Sequence, residues 1–142
     1  MSRGLEVLVL SAGGVLGVNA RYWLATWISD WSAGRFPWAT FAINVSGSFA
    51  IGFLATALGR WMPGHIPRLF FLVGFLGGYT TFSSFALEGH TLWERGDTGR
   101  ALAYLGGSLV AGLLAVALGA SLGRSVIGPA LSTPAEVRGI EE

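Results

Sequence analysis

Apolar residues fall into four stretches of about 20 or more, each long enough to cross a bilayer as a helix. The first runs from about Leu5 to Ile28 and stops before Asp30. A polar turn, Ser29 to Phe36, leads to Pro37, a favoured first-turn residue, and the second stretch runs from about Trp38 to Leu58. Arg60, Pro63, Gly64, His65 and Arg68 make the next turn, and the third stretch covers about Leu69 to Trp93. Glu94-Arg95-Gly96-Asp97 is a compact charged turn, and the fourth stretch runs from about Gly99 to Leu122. Ser125 to Glu142 holds two prolines and four charges and reads as a disordered tail. The pattern predicts an all-α integral membrane domain over residues 1–124, a polar tail over 125–142, and no repeat or second domain. The N-terminus superficially resembles a signal peptide. Glu6 interrupts its apolar core and hydrophobic sequence runs on past any cleavage point, so the first stretch is expected to stay.

The third stretch carries its own interruption: Gly74-Phe75-Leu76-Gly77-Gly78-Tyr79-Thr80-Thr81-Phe82-Ser83-Ser84-Phe85. Soluble helices end at such sequences, yet here apolar residues continue on both sides. In hydrocarbon, backbone groups released from a helix are tolerated only where protein buries them or water reaches them. Broken membrane helices of this kind mark ion and substrate sites. A broken third helix is therefore expected, with function centred on it.

Composition agrees with a bilayer. Only 12% of the 142 residues are charged and 52% are hydrophobic, against about 25% charged in soluble domains. A net charge of +1 offers no electrostatic case for nucleic acid. All nine basic residues are arginine, and the absence of cysteine rules out a disulfide framework or a thiolate metal site. Trp23, Trp27, Trp31, Trp38, Trp61 and Trp93 sit at or near the stretch ends, where interfacial tryptophan belongs. Arg21 lies roughly 24 Å along a helix from Leu5, near the far edge of a ~30 Å hydrocarbon core. Snorkelling to the headgroups accounts for it, and drawing anions into a vestibule is the alternative.

Four spans put the N-terminus, the second turn and the tail on one side, with Arg3, Arg60, Arg68, Arg124 and Arg138. Arg21, Arg35, Arg95 and Arg100 fall on the other. The positive-inside bias is nearly absent, so the chain is expected to insert both ways. Two opposed copies pairing about an axis in the membrane plane would imitate the inverted repeats of transporters. An antiparallel, dual-topology homodimer follows.

Thr40, Asn44 and Ser48 form one polar stripe at i, i+4 and i+8, and Tyr104 and Ser108 form another on the fourth stretch. Each reads either as interhelical glue or as a row of neutral donors along a pathway. Phe82 and Phe85 lie one turn apart just after the break. A phenyl ring has a positive edge, which touches a partly dehydrated anion without the deep trap of a buried cation. Permeation needs binding weak enough to release. Gly13 with Gly17, Gly74 with Gly78, and Gly119 with Gly123 are small-xxx-small pairs, read as packing surfaces.

Gly13-Gly14 with Arg21-Tyr22, then Thr40 to Phe49, then Gly74 to Phe85, resemble the Fluc (CrcB) fluoride channels over roughly Leu5 to Gly123. The resemblance implies a dual-topology homodimer in the cell's inner (plasma) membrane, with two parallel pores exporting fluoride passively. It implies that Asn44 contacts the anion path, and that Phe82 and Phe85 form an aromatic box with rings from both subunits. It also implies that Tyr104 and Ser108 line a polar track. A structural sodium ion at the dimer centre is implied too, held by the backbone carbonyls of Gly77 and Thr80. Departures are Val18, Asn19, Ala39, Ser84 and Gly112; the last removes a hydroxyl from the polar track.

The competing reading is a small proton-coupled exporter, which needs an ionisable group at depth. Its candidates, Glu6 and Glu88, fall near the expected stretch ends. An accessory membrane subunit is the third reading. Catalysis lacks parts: His65 and His90 have no metal-ligand spacing, and Ser48 and Ser108 have no neighbouring base.

Overall fold

The computed structural model describes residues 2–32 and 36–127. Arg35, and residues 128–142 of the expected tail, lie outside the described residues. α1 (Arg3–Trp31) begins where Ser2 caps it, its Oγ accepting from the Leu5 N–H at 3.4 Å. α2 (Trp38–Trp61) follows Pro37 directly. The third stretch is composite. α3 (His65–Arg68) passes into π-helical turns over Leu69–Phe75 and then α4 (Leu76–Tyr79). Thr80 and Thr81 are extended, and α5 (Phe82–Glu94) resumes the helix. α6 (Thr98–Ile127) completes the described chain. Four segments are helical, long and apolar enough to cross a membrane, and the described residues hold no strand.

Two boundaries differ from the sequence reading. α6 continues to Ile127, so Ser125 to Ile127 are helix rather than tail. Val126 and Ile127 extend the apolar run, and the Ser125 hydroxyl turns back to donate to the Leu122 carbonyl at 2.9 Å. The π-helical turns were not foreseen, because one apolar pattern serves an α- or a π-turn equally well. Wide turns of this kind are rare and concentrate at functional sites.

Packing is inverted relative to a soluble bundle. The buried positions are largely small: Gly13 and Gly17 on α1, Gly47, Gly52 and Ala57 on α2, Ala101 and Ala115 on α6. Large apolar side chains face outward, and all six tryptophans are at least half exposed. With lipid tails as apolar as leucine, helices associate through close backbone approach. α1 lies against the third segment through facing glycines. A side chain at Gly17 would land on the Phe75 carbonyl, and one at Gly78 would reach the Gly14 oxygen at 2.8 Å. α2 lies along α6 in the same manner, Gly119 against the Phe49 carbonyl and Gly123 against Thr56. The three glycine pairs expected to be packing surfaces all are. Away from them, Gly64 and Gly96 take positive φ at turns, which a side chain would strain.

This packing predicts an asymmetry within α6. Gly119→Val should destabilise the solubilised protein by about 3 kcal/mol, because the Phe49 backbone cannot retreat. Gly107→Ala, with open space where its Cβ would stand, should leave the thermal unfolding midpoint unchanged or slightly raised. Equal midpoints for the two variants would contradict the close approach of α2 and α6.

Candidate functional site

The interruption at Thr80-Thr81 is held from across the bundle. Asn44, on the buried-glycine face of α2, donates its Nδ2 to the Thr81 carbonyl at 2.9 Å and accepts the Thr81 N–H on Oδ1 at 2.9 Å. One side-chain amide thereby replaces both helical partners of one residue. Thr81 in turn caps α5, its Oγ1 accepting from the Ser84 N–H at 3.2 Å. Gly47, one turn along α2 from Asn44, admits the Thr80 methyl where any side chain would collide with it. Thr80 Oγ1 donates to the Leu76 carbonyl at 2.9 Å and closes the end of α4.

The break deprives the carbonyls of residues 77–80 of their helical donors, and for Gly77 and Thr80 the diverted donors can be followed. In an unbroken helix Gly77 O would accept from the Thr81 N–H, and Thr80 O from the Ser84 N–H. The first donor goes instead to Asn44 and the second to Thr81 Oγ1. Gly77 and Thr80 line one groove, of about 340 Å³, with Asn44, Ser48, Thr81 and Phe82. Neutral carbonyl oxygens freed at a helix break suit a hard monovalent cation. The donor set at Gly77 and Thr80 therefore fits a sodium ion.

A second, larger groove of about 650 Å³ runs between α5 and α6. Asn44, Ser48, Phe82, Phe85, Ser108 and Gly112 line it, with leucines of α6. The Phe82 and Phe85 rings stand 5.8 Å apart, and Phe82 is 79% exposed. Ser108 Oγ is buried without a hydrogen-bond partner among the described residues. A buried hydroxyl left unpaired is costly and calls for an explanation. Gly112 leaves the wall open, with Ser48 Oγ the nearest atom to where its Cβ would stand, at 3.5 Å.

At one end of this region three helices share a carboxylate. Glu88 of α5 accepts from Thr40 Oγ1 at 2.8 Å and from the Tyr104 hydroxyl at 2.6 Å. Tyr104 is fully buried, packed by Phe36 and Phe85 at ring separations of 5.5 and 5.2 Å. Thr40 and Tyr104 thus direct their protons to a fixed acceptor.

The structure brings the predicted residues into three neighbouring clusters. Asn44, Ser48, Phe82, Phe85 and Ser108 share the large groove; Gly77 and Thr80 share the smaller one; Thr40 and Tyr104 meet at Glu88. Arg21 stands apart on α1, lining neither groove, with no hydrogen bond or ion pair among the described residues. Glu88 is the participant that sequence reasoning undervalued. It lies six residues inside the end of α5 and three after Phe85, hence on the same face. That spacing was the available signal.

A family model described as CrcB-like protein, Camphor Resistance (CrcB), matches residues 8–120. The chain is 40% identical to a fluoride-specific ion channel FluC of Agrobacterium fabrum, over 86% of this chain and 98% of that one. It is 47% identical to another FluC, from Chlorobium luteolum, over 81% of this chain and 89% of the relative. A FluC 2 of Nocardia farcinica is 44% identical, over 87% and 89% of the two chains. With the match spanning all four apolar helices at this identity, the chain belongs to the CrcB-like family.

Proposed function

We propose that this multi-pass membrane protein is a fluoride channel, carrying the ion passively out of the cytoplasm across the inner membrane. The observation that carries this reading is Ser108 Oγ, buried and unpartnered in a groove it shares with Asn44, Ser48 and the two phenylalanines. Its O–H, the amide of Asn44 and the ring edges make a run of neutral donors for a small anion. The start of α5 adds the positive end of a helix dipole beside Phe82. The relatives' names supply the choice of fluoride, which neutral donors alone do not make. Passive export is driven by the negative interior of an energised cell.

The working unit in this reading is an antiparallel, dual-topology homodimer with two pores. The exposed ring of Phe82 supports it, because the aromatic box needs one ring of each kind from each copy. A sodium ion on the two-fold axis would be held by Gly77 and Thr80 carbonyls from both chains, pinning the two breaks together. Arg21 would act at the vestibule. The competing reading, proton-coupled export, has Glu88 as its candidate proton carrier, since that side chain joins three helices through a carboxylate.

Efflux from proteoliposomes, followed with a fluoride electrode, tests the proposal. Fluoride should leave without a proton gradient while chloride stays behind; a requirement for the gradient would favour the exporter. Asn44→Asp should suppress flux by at least tenfold. A carboxylate oxygen would then face the Thr81 carbonyl, removing both the donor and the clamp on the break. Wild-type flux in that variant would return Asn44 to a packing role. Phe82→Ile and Phe85→Ile should each cut flux while dimers persist on size-exclusion chromatography, and full activity in both would remove the aromatic box.

A further inference from the structure

A third groove, of about 370 Å³, opens where α1 ends, α2 begins and α5 ends. Ser29, Ser32, Trp38, Glu88, Thr91 and Arg95 are among its walls. Among its described lining residues two are charged, and they are of opposite sign. Glu88 is the inner one, its two oxygens already engaged by Thr40 and Tyr104. Arg95 is the outer one, exposed at the C-terminal cap of α5, about 10 Å of helix further on.

Of the neighbouring charges at this end, Arg100 has a fixed partner and Arg95 has none among the described residues. Arg100 is paired with Asp97, and Glu94 lies 3.4 Å from His90. Asp30, at the end of α1, is not part of the groove wall. Arg95 has no carboxylate within ion-pair distance among the described residues. Glu88 bonds Tyr104, and Tyr104 packs on Phe85 of the groove between α5 and α6, so this groove is linked to that one through side-chain contacts. An ionised carboxylate at the inner end of a groove repels halide. A guanidinium at its rim offsets that field and raises the local anion concentration. The Ser29 and Ser32 hydroxyls offer further donors on the same wall.

We propose that Arg95 is the anion-gathering charge of this mouth, setting how efficiently fluoride is captured at low concentration. The inference rests on the fluoride-channel reading and deepens it. Arg95 is an attracting residue at the rim; selectivity and maximal flux belong to the groove between α5 and α6. Its contribution is a field in water, so salt must abolish it. The Debye length is about 30 Å at 0.01 M and about 3 Å at 1 M.

The test uses the full chain in proteoliposomes, with initial fluoride flux read at low fluoride and ionic strength set by an impermeant salt at about 0.01 M or about 1 M. Arg95→Gln should lower flux about threefold at the lower ionic strength and leave it within experimental error at the higher. Arg95→Lys keeps the charge and should match the wild type at both. Three results would each overturn the inference: Arg95→Gln equal to wild type at low salt, a deficit of the same size at both salts, or Arg95→Lys as impaired as Arg95→Gln. Wild-type protein that passes no fluoride would overturn the channel reading along with it, whereas wild-type flux with an unimpaired Arg95→Gln would remove only the role of Arg95.

Discussion

A peptide group that leaves a helix inside hydrocarbon must find its hydrogen bonds somewhere else, and in this chain the Asn44 side chain supplies them. The amide bonds both the N–H and the carbonyl of Thr81, so the third segment can stop at Tyr79 and restart at Phe82 with that residue fully satisfied. The rest of the site depends on this exchange. It turns the Gly77 and Thr80 carbonyls away from helical partners, sets Thr81 as the cap of α5, and puts Phe82 at the start of a new helix. Net hydrogen-bond energies of about 1 kcal/mol understate its value. The relevant comparison is two buried groups left bare, at about 1–3 kcal/mol each.

Glycine makes that exchange reachable. Asn44 can meet Thr81 only because α2 and the third segment approach closely, and Gly47 is where the Thr80 side chain is received. On the other flank Gly13 and Gly17 let the π-helical turns and α4 lie directly on the backbone of α1. Gly52, Gly119 and Gly123 do the same for α2 and α6. A helix pair built on leucine would stand too far apart for these side-chain-to-backbone contacts. The large apolar residues are thus left for lipid, which explains why so many are exposed.

The polar residues of the site divide by what their protons meet. Thr40 and Tyr104 direct theirs to Glu88, whose side chain ties α2, α5 and α6 together. Ser108 Oγ is buried with nothing to meet among the described residues, in a residue that lines the groove beside two aromatic rings. A satisfied cluster and an unsatisfied hydroxyl, within one stripe of α6, are suited to different tasks: the first holds geometry and the second is left for a transient guest.

Much of this was legible without coordinates. Four apolar stretches bounded by tryptophan, the three glycine pairs, and the interruption after Gly74 all follow from hydrophobic length and local backbone chemistry, which sequence spacing records directly. The stripes of Asn44 with Ser48 and of Tyr104 with Ser108 were visible as i, i+4 spacing, while their grouping with Phe82 and Phe85 was implied by the family resemblance alone. Partners across the bundle were another matter. That Asn44 clamps Thr81, that Glu88 receives Thr40 and Tyr104, that Arg21 stands apart from both grooves while Arg95 rims a third, and that residues 69–75 widen into π-turns depend on which helix lies against which. Residues 44 and 81, or 40, 88 and 104, are remote in the chain, and spacing says nothing about contacts that only helix packing creates.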